Sequence, residues 1–255
     1  MANTIQSIPL KQNAFGKTVS LAENKLARLQ GNAGKEIPKY VATSENVSDL
    51  EIYVQNPRKA QPSTLNDLLQ LSNAKLVLTN VRGNGREAIS FVRTTLLADK
   101  VDVVGTWNLA DYKPNENTIL DIKSNAREKL EWISKNADIE KLFGDLRFVS
   151  AVAKEEFFDG QRTGELEGYE VTVVSEAQSD SFTFLIEDLN TDFKQFRPLV
   201  DVVEFDDLVI TSLFADVSTV ESGGVNIGLK ARTLHKKNAQ VAPKSAPQPK
   251  NEEKK

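Results

Sequence analysis

"SENVSDLEIYV", residues 44–54, and "SEAQSDSFTFLI", residues 175–186, give the same instruction twice: a polar turn that runs into a strand. Ser44, Glu45, Ser48 and Asp49 fall on Ser175, Glu176, Ser179 and Asp180 at a shift of 131 residues. One inserted residue makes the shift 132, and Leu50, Ile52 and Val54 then fall on Phe182, Phe184 and Ile186. Alternate residues of a strand face opposite ways, and a slip of one residue turns every side chain over. Preserved parity along both stretches therefore argues for a duplicated β unit. The shift of 132 also lays "LVLTN" at 76–80 over "LVITS" at 208–212. Further on, "EAISFVRTTLL" and "GVNIGLKARTLH" both follow glycine-containing turns, and a shift of 138 brings Ile89 onto Ile227 and Phe91 onto Leu229.

Around these strands the local signals vary. "SLAENKLARLQG" has capping-box spacing at Ser20 and Glu23, with Leu21, Leu26 and Leu29 on one helical face, which predicts a short helix over 21–30. "TLNDLLQL", opened by Thr64, reads as one or two helical turns. Asn84-Gly85 marks a hairpin, since a type I′ turn needs positive φ at both central residues. Residues 105–160 differ in kind: Ala126, Leu130, Ile133 and Ala137 repeat at helical spacing, and Asp138 can start a second short helix ended by Gly144. After Lys236 a run rich in lysine and proline, without aromatics, cannot bury enough apolar area to offset the entropy of ordering.

The sequence thus predicts a mainly β (α+β) protein. Two related small β-barrel or β-sandwich units, at 1–104 and 161–238, are joined by a helical connector at 105–160 and followed by a disordered basic tail at 239–255. With no cysteine, disulfides, iron–sulfur clusters and thiol chemistry are excluded. No stretch has the apolar length of a membrane span, and the first residues lack an apolar signal core, so a cytoplasmic location is expected.

Charge is distributed unevenly. The net charge of −4 averages a basic segment at 1–100 (net +5), an acidic one at 101–229 (net −15) and a basic end at 230–255 (net +6). Opposed fields of this kind suit either two different partners or self-association.

Catalysis finds little support. The single histidine, His235, stands at the edge of the tail, which leaves neither a zinc site nor a Ser-His-Asp triad. Asp201, Glu204, Asp206 and Asp207 offer carboxylate oxygens to Mg²⁺ or Ca²⁺ but lack the spacing of a calcium loop, so they read as a solvated edge or a protein-contact surface, and no metal or cofactor is expected. Nucleic acid is the better match. Arg82 and Arg86 flank the glycine turn "RGNGR", and Arg58, Lys59 and Arg93 lie in the same basic unit. In the second unit Lys230 and Arg232 alternate along a strand that leads to Lys236 and Lys237. Guanidinium forks and backbone N–H groups at such places can hold phosphates, whereas an edge strand made safe by charge has the same composition. Tyr53, out of phase with its apolar neighbours, is the one candidate base-stacking platform. Phe182, Phe184 and Trp132 read as core.

The stretch "KLVLTNVRGNGREAISFVRTTLLADKV", 75–101, resembles a group of small accessory proteins of Gram-positive integrative and conjugative elements, which includes a helicase processivity factor. The resemblance rests on Leu78-Thr79-Asn80-Val81-Arg82 and Leu96-Leu97-Ala98-Asp99 in matching order, on "QNAFG" at 12–16, and on the Lys/Pro/Gln-rich tail. Val81 stands where the group has proline, Lys100 where it has a second acid, and the group's members are about half as long. The resemblance implies a non-enzymatic accessory role in DNA replication or transfer, with a helicase or other replication protein meeting the acidic middle. A structural or interaction protein with duplicated β domains is the alternative.

Overall fold

The computed structural model describes residues 3–29, 35–82, 90–122, 127–215 and 224–237, with only the backbone described for Arg82 and Ser90. The chain is mainly β, in two sheets. The first sheet carries β2 (Ser7–Pro9), β3 (Thr18–Ser20), β4 (Lys25–Arg28), β5 (Glu36–Ser44), β6 (Val47–Val54), β7 (Asp67–Ser72), β8 (Lys75–Arg82), β9 (Ser90–Ala98), β10 (Lys100–Thr106) and β11 (Ile119–Asp121). The second carries β12 (Leu146–Phe158), β13 (Gln161–Ser175), β14 (Asp180–Ile186), β15 (Val202–Asp206), β16 (Val209–Phe214), β17 (Val225–Ala231) and β18 (Thr233–Lys236). It also takes in β1 (Thr4–Ile5) from the far end of the chain. Two helices, α1 (Arg127–Asn136) and α2 (Ile139–Phe143), lie between the two sets.

The duplication is written into the pairing. In the first half the strands run β10-β7-β3-β5-β6-β9-β8, and in the second β18-β15-β12-β13-β14-β17, with β16 on β17. Both halves contain a parallel join in the same place: β6 with β9, and β14 with β17. The opening motifs coincide in detail. Ser44 Oγ accepts from the Val47 N–H at 3.0 Å, and Ser175 Oγ accepts from the Gln178 N–H at 3.1 Å. The Glu45 N–H donates to the Lys17 carbonyl, and the Glu176 N–H to that of Asp145. Leu50, Ile52 and Val54 are buried, as are Phe182, Phe184 and Ile186, which satisfies the alternation that defines each strand.

The pairing also corrects two shifts. Leu76 and Ile210 occupy equivalent places opposite Leu96 and Leu229, so 76–80 matches a segment two residues later than the sequence alignment placed it, on the same face. The parallel joins set Ile52 beside Leu96, and Leu185 beside Lys230, so Leu96, not Phe91, matches Leu229. The alignment there is five residues out, an odd number, and it reverses the faces. The repeat also begins earlier than the strands suggested. Phe15-Gly16 and Phe143-Gly144 are equivalent, both phenylalanines are buried, and both glycines have positive φ, +66° and +62°. At each glycine a side chain would run into the polar turn, against Glu45 in one half and Glu176 and Ala177 in the other.

Two expected helices are strands. Residues 25–28 form β4 on β5, leaving Leu26 mostly exposed, because Ser20 is spent in β3 and its hydroxyl donates to the Ala22 carbonyl instead of capping a helix. A ten-residue helix is marginal alone, whereas β5 offers a ready ladder. The Thr64–Asp67 contact closes a local turn, Asn66 takes φ of +72°, and β7 follows with Leu69 and Leu71 inward. The expected hairpin of β8 and β9 forms from Lys75–Leu97 out to Arg82–Ser90, and Asn84-Gly85 itself lies outside the described residues. The helical connector is α1 and α2, while β12, assigned to it from sequence, belongs to the second sheet.

The segments leading into the two halves are crossed. Before the first, β2 lies along β8; before the second, α1 lies along β16, the equivalent edge, where Ser134 Oγ accepts from the Ile210 N–H. Ahead of these, β1 pairs with β17 in the second sheet, and β11 pairs with β6 in the first. Asn3 secures the first crossing: its amide accepts from the Thr183 N–H and donates to the Thr183 carbonyl, both at 2.7 Å. Contacts between the halves are reciprocal, β8 with β17 and β9 with β16, the pattern of a two-fold interface. Trp132 of α1 packs on Phe15, Phe143 packs edge-on to Phe182 and Phe184, and one apolar core runs through both sheets. Among the described residues, no helix is long and apolar enough to cross a membrane.

Candidate nucleic-acid interface

The alternation of β6 puts Ile52 and Val54 inside and Tyr53 on the other face. In β9, Val92, Thr94 and Leu96 are buried, so Phe91 and Arg93 face outward, and Phe91 is 40% exposed. These faces meet in an open groove of about 420 Å³, whose lining includes Tyr53, Phe91 and Arg93 together with Arg28, Leu29 and Glu51. Each ring has a cation beside it: Lys39 Nζ lies 5.8 Å from the Tyr53 ring centre, and the Arg93 guanidinium 5.9 Å from that of Phe91. Lys39 is held at 2.7 Å by Glu51, and this hydrogen bond raises its pKa, so the ammonium stays charged. Arg28 has a looser contact with Glu36, at 3.6 Å, and its side chain is largely solvated.

Of the residues singled out from sequence, Tyr53 and Arg93 come together in this groove. Arg58 and Lys59 are exposed on a 3₁₀ turn just after β6, where Asn56 Oδ1 accepts from the Arg58 N–H, and they do not line it. Arg82 ends β8 opposite Ser90, and Arg86 lies outside the described residues. The C-terminal cations sit in a different setting, each against a carboxylate of the second half. Lys230 meets Glu187 at 2.6 Å, Arg232 meets Asp207 at 2.7 Å, Lys236 meets Asp201 at 2.8 Å, and Lys237 meets Asp145 at 3.1 Å.

The acidic run 201–207 is accordingly divided among partners. Asp201 accepts from the Arg197 backbone N–H and guanidinium, and these bonds, with Lys236, hold its carboxyl far below the usual range. Glu204 and Asp206 flank the half-exposed ring of His235 at 3.5 Å and 3.7 Å, and Asp207 is taken by Arg232. No group of three or more His, Asp or Glu among the described residues is arranged to hold a metal ion.

Sequence reasoning did not select Arg28, Lys39 or Phe91. Reading 21–30 as a helix hid the ribbon that carries Arg28, and Lys39 is recognisable only once β5 is paired with β6. Phe91 was detectable, since Val92, Thr94 and Leu96 already alternate against it. No protein-family model matches the chain, and no curated protein matches it in sequence.

Proposed function

We propose that the protein is a non-enzymatic accessory protein of DNA replication or transfer on a mobile element, acting in the cytoplasm and holding single-stranded nucleic acid in the groove of its first half. The observation that carries this is the pairing of two partly exposed rings, Tyr53 and Phe91, with cations beside both, along one open groove. Aromatic faces stack on unpaired bases without regard to sequence, while neighbouring cations follow the phosphates. The mobile-element setting comes from the resemblance of 75–101. The acidic second half repels phosphate and suits a protein partner, such as a helicase.

Fluorescence anisotropy with single- and double-stranded oligonucleotides over a salt series tests it. Arg28, Lys39 and Arg93 predict a slope of log K against log salt of about −2 for single strands. Tyr53→Ala and Phe91→Ala should each weaken binding about 5- to 150-fold, the range for one lost stacked base. Binding that ignores salt, or that survives both substitutions, would refute the assignment. The second reading, an interaction protein without nucleic-acid binding, is favoured by the pairing of the cations: Lys230, Arg232, Lys236 and Lys237 all face carboxylates, and at the groove Lys39 meets Glu51 and Arg28 meets Glu36.

A further inference from the structure

In both halves the second core strand and its partner run on past the sheet as a two-stranded ribbon. In the first half this is β4 with β5, paired from Lys25–Lys39 to Arg28–Glu36. In the second half it is the outer part of β12 with β13. That pairing reaches Phe158–Gln161, although β15 leaves β12 at Arg147 and β14 leaves β13 at Tyr169. Equivalent pairs, Ala42–Leu50 and Val173–Phe182, place the two ribbons at the same point of the repeat.

Their surfaces are opposites. The first ribbon, 25–39, carries Lys25, Arg28, Lys35 and Lys39 against Glu36, net +3. The second, 152–170, carries Lys154 and Arg162 against five glutamates and Asp159, net −4. Lys154 pairs with Glu167 and Glu170, and Arg162 with Glu155, which leaves Glu156, Asp159 and Glu165 without an ion pair among the described residues. Both ribbons also expose apolar side chains: Leu26 at 63% on the basic one, and Val152 at 64%, Phe157 at 58% and Phe158 at 76% on the acidic one. No hydrogen bond or ion pair joins the two ribbons within one chain among the described residues. A duplicated element that keeps its place in the repeat and reverses its charge is complementary to its own counterpart in another copy.

We propose that the acidic ribbon of one copy docks on the basic ribbon of a second copy. Apolar contact between Leu26 and the exposed side chains of the acidic ribbon holds the two together, and the opposite charges along the ribbons set the register. Two different surfaces meet in such a contact, so it is heterologous and can repeat from copy to copy. It does not depend on nucleic-acid binding.

The test is sedimentation velocity of the full chain without nucleic acid. At about 50 mM salt the mean mass should rise with concentration up to about 100 μM and exceed a dimer, and at about 500 mM salt it should fall back towards the monomer. Two charge-reversed proteins sharpen the test: K25E/K35E, which leaves the groove residues untouched, and E155K/E156K/E165K. Each alone should stay monomeric, with an unchanged circular dichroism melt. An equimolar mixture should associate, because the intact acidic ribbon of the first meets the intact basic ribbon of the second. A wild-type monomer under all these conditions, or assembly that both reversals leave unchanged, overturns the proposal. So does a mixture that stays monomeric while the wild type assembles.

Discussion

Replacing Ser44 and Ser175 with alanine, singly and together, asks whether the two halves fold as one. Ser44 Oγ lies 3.0 Å from the Val47 N–H and 3.1 Å from the Val47 carbonyl, and both residues are fully buried. Ser175 Oγ accepts from the Gln178 N–H and donates to the Phe143 carbonyl at 2.6 Å. Each methyl group would strand a backbone donor, the fully buried N–H of Val47 or the part-buried N–H of Gln178, at a cost of about 1–3 kcal/mol. For a chain of this size about 2 kcal/mol lowers the melting temperature by roughly 4–8 °C. The residues sit in different halves and share no partner, so the double variant should lose about the sum, near 4 kcal/mol. Crossed leads and a shared core predict a single transition in urea, seen alike by circular dichroism and tryptophan fluorescence, and every variant should move it as one. Two transitions, each shifted by only one substitution, would refute cooperative folding of the halves. A loss below about 0.5 kcal/mol at both sites would refute the role given to the hydroxyls.

Other outcomes follow from single contacts. Asn3→Ala removes both bonds to Thr183 and should destabilise the protein by about 1–3 kcal/mol in thermal melts, although Asn3 is close to the chain's start. Gly144→Ala should cost more than Gly160→Ala, as read from urea midpoints: both have positive φ, but a Cβ at 144 meets the Ala177 N–H at 3.1 Å, whereas at 160 it meets nothing within 4 Å. Asp201 is held below its unfolded pKa, so its stabilising contribution is complete above about pH 4 and is lost as pH falls towards the folded value. Melting curves of Asp201→Asn should therefore converge on those of the wild type in acid and lie below them at neutral pH.

Much of the fold could be read from period-two alternation, because the strands that carry the core, β6, β14 and β17, each bury one face. What escaped were elements whose stability comes from a neighbour. β4 exposes Leu26 and offers no buried face, so its leucine spacing imitated a helix. Phe15-Gly16 and Phe143-Gly144 are two-residue matches at a shift of 128, and turns of unequal length displace them from the shift of 131 that governs the next strands. The candidate site was half legible. Tyr53 and Arg93 stand out within their own strands. The engagement of Lys230, Arg232, Lys236 and Lys237 depends on strands and turns distant in sequence, among them β15 and the loop after β14, which no local pattern announces.

The exchanged leads have a consequence for what one half amounts to. Cut between 106 and 119, the N-terminal piece would carry β1 without the place it fills, and its own β6 would lack β11 beside it. The C-terminal piece would be short in the mirror-image way. Neither is a self-sufficient module, and each holds the part the other is missing. Two copies of a single ancestral unit, trading their first strands, would close the same gaps, so this chain is in effect a strand-swapped dimer written on one line.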